Sequence, residues 1–204
     1  MKIADYGGTG NIGSHIVAEA VRRDHHVTAL ARQEKAVAPG ATFAIGDAAD
    51  VEAARRIADA HDVVVSALGP TRDPAGDPDQ FVEVIRDLAD AVGSTRFVVV
   101  GGASSLFAAP GVRLLDTPGF PAVYKREATA AAKAFDLLRA AGPELDWTYL
   151  SPSPEIGPGE RTGKYLVGLD EPAGDHITFA DYAVALVDEI ENPEHRRQRF
   201  TVAN

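Results

Sequence analysis

The amino-acid sequence predicts an α/β fold in which a parallel β-sheet carries helices on both faces. Short runs rich in Val, Ile and Phe alternate along the chain with longer segments whose apolar residues recur every three to four positions. Two of the short runs, DVVVSA at 62–67 and RFVVVG at 96–101, are dominated by apolar residues, which is typical of strands buried on both sides. Such alternation produces parallel sheets with right-handed crossovers.

The first third of the chain is predicted to hold four strands and two helices. An amphipathic helix over residues 11–23 places its apolar side chains three or four positions apart, so that they share one face. A second helix, over residues 51–60, lies between two β-rich runs. The predicted strands of this part cover residues 3–6, 26–31, 42–45 and 62–67.

The next helix is predicted from a capping signal and an apolar face. Asp77 followed by Pro78 indicates an N-cap with proline at the first helical position, where an amide hydrogen is not needed. Its buried face is predicted to carry Phe81, Val84, Ile85, Leu88 and Val92. A fifth strand covers residues 96–101, and a loop over 103–121 leads to a helix at 124–141. Loops of that length inside a domain are often functional.

The C-terminal part is predicted to complete the sheet. A sixth strand at residues 147–150 carries Trp147 and Tyr149 on one face, where we expect both side chains in the core. Thr178 is placed to cap a last helix, and a closing strand covers residues 200–202.

The chain is predicted to be one domain, 1–204, with a small appended lobe. Its 204 residues suffice for a single sizeable core. Residues 151–178 are rich in Pro and Gly, and we expect them to form a substrate-side lobe with a short strand near 164–167. The fold class is therefore a doubly wound parallel sheet with a small C-terminal lobe.

Composition limits the cellular setting and the classes of partner. No apolar run approaches the roughly 18 residues of a membrane helix, and the N-terminus enters a strand without a leader pattern. The chain contains no cysteine, which leaves no disulfide framework. A formal net charge of -10 argues against a nucleic-acid partner. We therefore expect a cytoplasmic protein without nucleic-acid or membrane partners.

A glycine pattern lies between the first strand and the first helix. Gly8, Gly10 and Gly13 form G-x-G-x-x-G, and Gly7 extends it as G-x-x-G-x-x-G. Within a βαβ unit this is the fingerprint of Rossmann-like dinucleotide-binding folds. The glycines let the backbone approach a pyrophosphate, whose charge then faces the free amides of the helix N-terminus. The alternative is a glycine-rich turn without a ligand.

The end of the second strand indicates which dinucleotide is preferred. Folds that prefer NAD usually place an acidic residue there to bind the ribose 2′-hydroxyl. This chain has Arg32 instead, and a guanidinium suits a 2′-phosphate. The predicted cofactor is NADP(H), with NAD(H) as the second choice. The alternative is an exposed arginine that binds no ligand. This alternative stays open because Glu34, an acidic residue, follows two positions later.

These motifs together carry a family resemblance. GGTGNIG, VTALAR, GDAAD, VVVSALG and RFVVVGGASSL, in that order, resemble the atypical short-chain dehydrogenases with an NmrA-like NAD(P)H-binding domain. The stretch from Asp116 to Tyr165, beginning DTPGFPAVYKREAT, is similar to the compact bacterial group named for NADH-flavin reductases, relatives of biliverdin reductase B. The resemblance covers nearly the whole chain.

The resemblance implies site residues by position. The pyrophosphate would lie against Gly7, Thr9, Gly10, Asn11 and Ile12. The 2′-phosphate would meet Arg32, and the adenine would lie beside Asp47 and Ala48. The ribose and nicotinamide would lie beside Ala67, Leu68 and Gly69. The nicotinamide would be bordered by Gly102, Ala103 and Ser104.

The acid–base residues depart from those of most short-chain dehydrogenases. Those enzymes carry Tyr-x-x-x-Lys after the fifth strand, whereas here the fourth position after Tyr124 is Ala128. Lys125 is adjacent to the tyrosine and points about 100° away from it on a helix. Carbonyl reduction requires a proton donor, whereas flavin reduction requires mainly that two rings stack in near-attack geometry.

Ser104 and Tyr124 remain the candidate catalytic residues. Ser104 follows a central strand at the edge where such sheets bind ligands, and it could donate a hydrogen bond to substrate or bond its own backbone. Tyr124 could line the pocket or pack at the helix start. No metal site is predicted, because the six histidines show no ligand spacing.

The leading functional hypothesis is an oxidoreductase that passes hydride from NADPH to a flavin or similar planar acceptor, with flavin as substrate rather than bound cofactor. The second is a non-catalytic NADP(H)-binding redox sensor of NmrA type. The third is a reductase or epimerase that acts on a biosynthetic intermediate through Ser104 or Tyr124. The loop at 106–120 and the turn at 157–163 could close over the nicotinamide. We expect the protein to be a monomer or a homodimer.

Asp5 does not fit its position in the first strand. That strand is predicted to be central and buried, where an unpaired carboxylate would be unfavourable by several kcal/mol. We expect the carboxylate to bond backbone amides or a buried water beneath the glycine turn. The alternative is a proton donor with a raised pKa.

Overall fold

The computed structural model describes residues 1–204 and contains five α-helices and twelve strands. The helices are α1 (Asn11–Arg22), α2 (Val51–Ala60), α3 (Gln80–Val92), α4 (Lys125–Arg139) and α5 (Phe179–Glu191). The strands of the N-terminal half are β1 (Lys2–Tyr6), β2 (His26–Ala31), β3 (Thr42–Ile45), β4 (Val63–Ser66) and β5 (Arg96–Val100). They are followed by β6 (Phe107–Ala109), β7 (Val112–Arg113), β8 (Trp147–Pro152), β9 (Glu155–Gly157), β10 (Leu166–Gly168), β11 (His176–Thr178) and β12 (Gln198–Ala203).

Eight strands form one sheet in the order β10-β12-β8-β5-β4-β1-β2-β3. All neighbouring pairs in it are parallel except β10 and β12, which are antiparallel at the edge. The central order is that of a doubly wound Rossmann-like sheet, with the switch point between β1 and β4. The predicted fold class is therefore confirmed, and the carboxyl ends of seven strands share one edge.

Each face of the sheet buries its own apolar core. One core packs β-strand residues against α1 and α5, through side chains such as Ile16, Val17 and Leu186. The other packs against α2, α3 and α4, through side chains such as Ile85, Leu88 and Phe135. Both faces are covered because the helices that connect parallel strands pack on the two sides of the sheet. None of the five helices is both long and apolar enough to span a bilayer.

The start of α3 differs from the prediction. The α-helix begins at Gln80 rather than after Asp77, because residues 77–80 form a turn in which the Asp77 carboxylate accepts the Asp79 N–H at 3.0 Å. Asp77 thus caps this turn. The predicted buried face holds except that Val84 is only partly buried, while Val82 is buried.

The predicted 103–121 loop and the lobe both contain additional short strands. Residues 107–113 form the antiparallel hairpin β6–β7. In the lobe, β9 and β11 form a separate parallel pair, and the predicted strand near 164–167 is observed as β10. Because β10 pairs with β12, this part of the segment extends the main sheet instead of standing apart.

Asp5 is fully buried in β1, between Ala29 of β2 and Val65 of β4. Neither carboxylate oxygen has a hydrogen-bond partner. The expectation that the carboxylate bonds backbone amides is wrong, because no backbone N–H donates to either of its oxygens. Burial raises the pKa of Asp5 well above its usual value, which favours the neutral acid. Its position alternates with Ala4 and Tyr6, so it faces the α1 and α5 side of the sheet.

Candidate functional site

The glycine turn after β1 is built by close approach of its own backbone. The Gly7 N–H donates to the Leu30 carbonyl at 3.2 Å, and the Gly10 N–H donates to the Gly7 carbonyl at 2.8 Å. A Cβ atom on Gly13 would lie 2.2 Å from the Gly7 carbonyl oxygen. Only glycine at position 13 therefore allows α1 to start this close to the turn.

The N-terminus of α1 presents unpaired amides. The N–H groups of Thr9, Asn11, Ile12 and Gly13 donate to no backbone carbonyl. No side chain caps the helix, and its first turn holds no acidic residue. Four free donors at the positive end of a helix form a site for an anion, so these residues fit the pyrophosphate of a dinucleotide.

The turns after β1 and β4 touch across the switch point. Gly7 has a φ of 99°, and a Cβ atom on it would lie 2.6 Å from the Ala67 carbonyl oxygen. The Ala67 N–H in turn donates to the Tyr6 carbonyl at 2.8 Å. Leu68 and Gly69 continue from this contact, and nothing lies within 4 Å of the Cβ position of Gly69. The structure thus brings the predicted pyrophosphate and ribose residues together.

The predicted adenine side lies after β2 and β3. Arg32 is exposed at the end of β2 and forms none of the ion pairs in the structure. The Asp47 carboxylate accepts the Ala49 N–H at 3.0 Å, and Ala48 is buried. Burial raises the pKa of Tyr6 to about 12, and the nearby carboxylates of Asp50 and Asp47 contribute to this shift to a smaller extent. Arg32 is therefore free to bind an anion, whereas Asp47 is engaged in its own turn.

The serines after β5 are buried and already hydrogen-bonded. Ser104 donates its hydroxyl proton to the Ala128 carbonyl of α4 at 2.9 Å. The hydroxyl oxygen of Ser105 accepts from the Arg199 guanidinium at 3.0 Å. Neither serine bonds its own backbone. Donation from Ser104 to a substrate would require the bond to α4 to break.

Tyr124 and the nearby lysines do not form an acid–base pair. Tyr124 is half exposed and precedes the first residue of α4, Lys125. The Lys133 ammonium binds the Asp79 carboxylate at 2.6 Å. No metal-binding group of three His, Asp or Glu side chains is present either.

Tyr149 and Ser151 are site-adjacent residues that the sequence did not indicate as such. Trp147 and Tyr149 are buried in the core as predicted. The Tyr149 hydroxyl additionally accepts the Gly102 N–H at 3.1 Å, and the Ser151 hydroxyl donates to the Gly102 carbonyl at 3.0 Å. A Tyr and a Ser in a strand carry no signal for these bonds, which depend on the register between β5 and β8.

Buried carboxylates of α5 and α1 bind residues 161–163 of the lobe. The buried Asp181 carboxylate of α5 accepts the Thr162 N–H at 2.9 Å, the Thr162 hydroxyl at 2.7 Å and the Gly163 N–H at 2.7 Å. Burial alone would raise the pKa of Asp181, but these hydrogen bonds outweigh it and hold the pKa below its usual value. The Arg161 guanidinium also forms two bonds, of 2.8 and 2.9 Å, with the buried Glu19 of α1.

On its other side the lobe contacts the hairpin. The Phe107 N–H of β6 donates to the Asp170 carbonyl at 2.8 Å, and Arg199 binds the Asp170 carboxylate. The 106–120 and 157–163 segments are therefore held in place through separate contacts, at the edge where we expect the acceptor.

Replacing Asp181 with Asn should release the turn around Thr162. The amide cannot accept three donated hydrogens as a carboxylate does, and charge-assisted bonds contribute about 1.5–3 kcal/mol each. Trypsin should then cut after Arg161 and Lys164 at least about tenfold faster in native buffer. Asp175→Asn, at an exposed carboxylate of the same lobe, is the matched control. Equal cleavage rates in the two variants would contradict this role.

Acid should loosen the same turn in the wild type. Because the folded pKa is depressed, the stabilisation by Asp181 is present above the unfolded value, near 3.9, and is lost as pH falls through the folded pKa.

Comparison with known proteins places this geometry in a family. The model of a family described as NAD(P)H-binding matches residues 7–193. The uncharacterized protein YwnB of Bacillus subtilis (strain 168) is 38% identical over 215 residues, which cover 100% of this chain and 99% of that protein.

Two solved structures are similar over their full lengths. A "putative exported protein" from Burkholderia pseudomallei has a TM-score of 0.88 and 42% identity, and covers 100% of both chains. A "putative NADH-flavin reductase" from Streptococcus pneumoniae TIGR4 has a TM-score of 0.90 and 35% identity, over 100% of this chain and 99% of that one.

The family resemblance predicted from the sequence motifs is confirmed by these matches. The glycine turn, the free amides of α1 and the contact across the switch point all lie within residues 7–193. A nicotinamide dinucleotide is therefore the cofactor that the family indicates for this chain. The chain belongs to the NAD(P)H-binding family.

Proposed function

We propose that the protein is an oxidoreductase that binds NADPH and passes its hydride to a flavin or a similar planar acceptor. The observation that carries the proposal is the set of four unpaired amides behind the Gly7–Gly13 contact. They suit a pyrophosphate, and the exposed Arg32 offers a guanidinium at the strand end where a 2′-phosphate would lie.

The lack of an acid–base pair supports a flavin-type acceptor. Lys133 is bound to Asp79, Lys125 directly follows Tyr124 in the chain, and Ser104 donates to Ala128. NADPH supplies hydride, and the proton that completes flavin reduction can come from water. The residues of this chain then have to bind, orient and exclude solvent rather than transfer a proton. The similar pneumococcal protein is named for NADH-flavin reduction, which agrees with this choice.

Replacing Arg32 with Ala should weaken NADPH binding by about 10- to 100-fold and leave NADH binding within about twofold. A charge-assisted guanidinium–phosphate contact contributes roughly 1.5–3 kcal/mol, and each 1.4 kcal/mol is a tenfold change in Kd. Both dissociation constants are measured by titration. Arg56→Ala, at an exposed arginine of α2, is the control. Equal losses for NADPH and NADH would contradict a 2′-phosphate contact.

The reaction itself is tested by adding FMN, FAD or riboflavin to the NADPH-loaded protein and following absorbance at the nicotinamide band. Flavin-dependent loss of absorbance supports the reductase. Tight NADPH binding without turnover on any acceptor favours a redox sensor. Turnover of a non-flavin substrate that Ser104→Ala or Tyr124→Phe abolishes, with NADPH affinity intact, favours a reductase or epimerase acting on a biosynthetic intermediate.

The proposal extends to the setting of the reaction. The partner would be a small planar or hydrophobic molecule, seated between the β6–β7 hairpin and residues 151–178 as the substrate lobe. The protein would act in the cytoplasm, as a monomer or homodimer.

A further inference from the structure

Gly102 is held by side chains where the backbone ladder ends. The last backbone hydrogen bond between β5 and β8 runs from the Gly101 N–H to the Leu150 carbonyl at 2.8 Å. One residue further, the hydroxyls of Tyr149 and Ser151 replace backbone groups and bind the N–H and the carbonyl of Gly102 at 3.1 and 3.0 Å. Gly102 keeps an extended conformation, with φ of -120° and ψ of 156°.

Tyr149 is itself fixed on three sides. Its hydroxyl donates to the Ala131 carbonyl of α4 at 3.2 Å, so the phenol both accepts and donates. Its ring lies 5.1 Å from the Phe135 ring, between centroids, and a Cβ atom on Gly101 would lie 2.2 Å from it. Burial raises the pKa of Tyr149 to about 12, so the hydroxyl keeps its proton at neutral pH.

We propose that Tyr149 is a positioning residue, whose hydroxyl holds the Gly102 peptide against α4 and thereby shapes the backbone beside the nicotinamide half of the dinucleotide. This inference rests on the proposed function, because it takes Gly102 to border the nicotinamide of a bound NADPH, as the family resemblance implies. Ser151 holds the other side of the same residue.

Tyr182 provides a matched comparison within the same region. It is also fully buried, and its hydroxyl donates to the Leu150 carbonyl at 2.6 Å. That carbonyl still accepts the Gly101 N–H when the phenol is removed. Removing the Tyr149 hydroxyl instead leaves the Gly102 N–H without an acceptor, which is the more disruptive change.

The first test uses the protein without dinucleotide. Tyr149→Phe keeps the ring packing, and the Gly102 amide, followed by NMR, should exchange with solvent about tenfold faster than in the wild type. In Tyr182→Phe the rate should change by less than about twofold. Unchanged exchange of Gly102 in Tyr149→Phe would overturn the proposal.

The second test separates the two halves of the ligand. Tyr149→Phe should weaken NADPH binding about five- to tenfold while binding of 2′,5′-ADP, which lacks the nicotinamide, stays within about twofold. Ser151→Ala should also weaken NADPH binding, and Tyr182→Phe should leave the affinity for both ligands unchanged. If Tyr149→Phe and Ser151→Ala lost affinity equally for NADPH and 2′,5′-ADP, or lost none for either, this inference would be overturned. The proposed function would still stand. A wild type that binds neither ligand would overturn the proposed function and this inference with it.

Discussion

Replacing Asp5 with Val should raise the free energy of unfolding by about 1–3 kcal/mol at pH 4, and by more at pH 8. At the lower pH the gain comes from removing a buried polar group whose oxygens have no partner. Valine suits the position because Ala29 and Val65 are its neighbours in the adjacent strands. Denaturant unfolding at several pH values measures both effects.

The pH dependence follows from the direction of the pKa shift. Burial raises the pKa of Asp5 in the folded state, so the folded protein binds more protons than the unfolded chain above the unfolded value, near 3.9. The free energy of unfolding therefore falls as pH rises from that value to the folded pKa, with a slope of up to about 1.4 kcal/mol per pH unit from this group. The valine variant should lack this component.

Asp5→Asn separates the two causes. The carboxamide does not titrate, so its stability curve should lose the slope that Asp5 contributes. It leaves an unpaired polar group in the same place, so the gain at pH 4 should be absent. Parallel pH curves for the wild type and Asp5→Val would show that the carboxyl finds a partner in solution and would refute this account.

The fold was predictable because its signals are local. The bounds of β2, β3 and α2 agree with the periodicity, since each is a short uninterrupted pattern between turn residues. The role of β10 was not predictable. Its partner β12 begins about thirty residues later in the chain, and nothing in LVG indicates that these residues extend the main sheet.

The candidate site was likewise predictable from the sequence only where its signals are local. The glycine turn and the free amides of α1 follow from spacing within a few residues, so the sequence predicted them. The Tyr149–Gly102 bond depends on β8 pairing with β5, elements about fifty residues apart, and on a carbonyl of α4. The environment of Asp5 was not predictable for a related reason. It depends on the position of β1 between β2 and β4, which leaves the carboxylate buried without a hydrogen-bond partner.

Replacing Gly13 with Ala should weaken NADPH binding by at least about 100-fold. The added Cβ would lie 2.2 Å from the Gly7 carbonyl oxygen and 2.7 Å from the Gly7 carbonyl carbon. Both are backbone atoms, so no side-chain rotation relieves the clash, and either the turn or α1 must move. Loss of two charge-assisted bonds to the pyrophosphate, at about 1.5–3 kcal/mol each, corresponds to at least this change in Kd.

Ser14→Ala is the control, because Ser14 is the next residue of α1, is exposed and bonds only the Asn11 carbonyl through its hydroxyl. Its NADPH affinity should remain within about twofold of the wild type. Alanine is a better helix former than glycine by about 1 kcal/mol, so Gly13→Ala gains helix propensity while it loses the turn geometry. A variant that stays folded and has lost NADPH would therefore locate the binding defect in the contact between α1 and Gly7. Unchanged affinity would mean that the pyrophosphate does not lie on this turn.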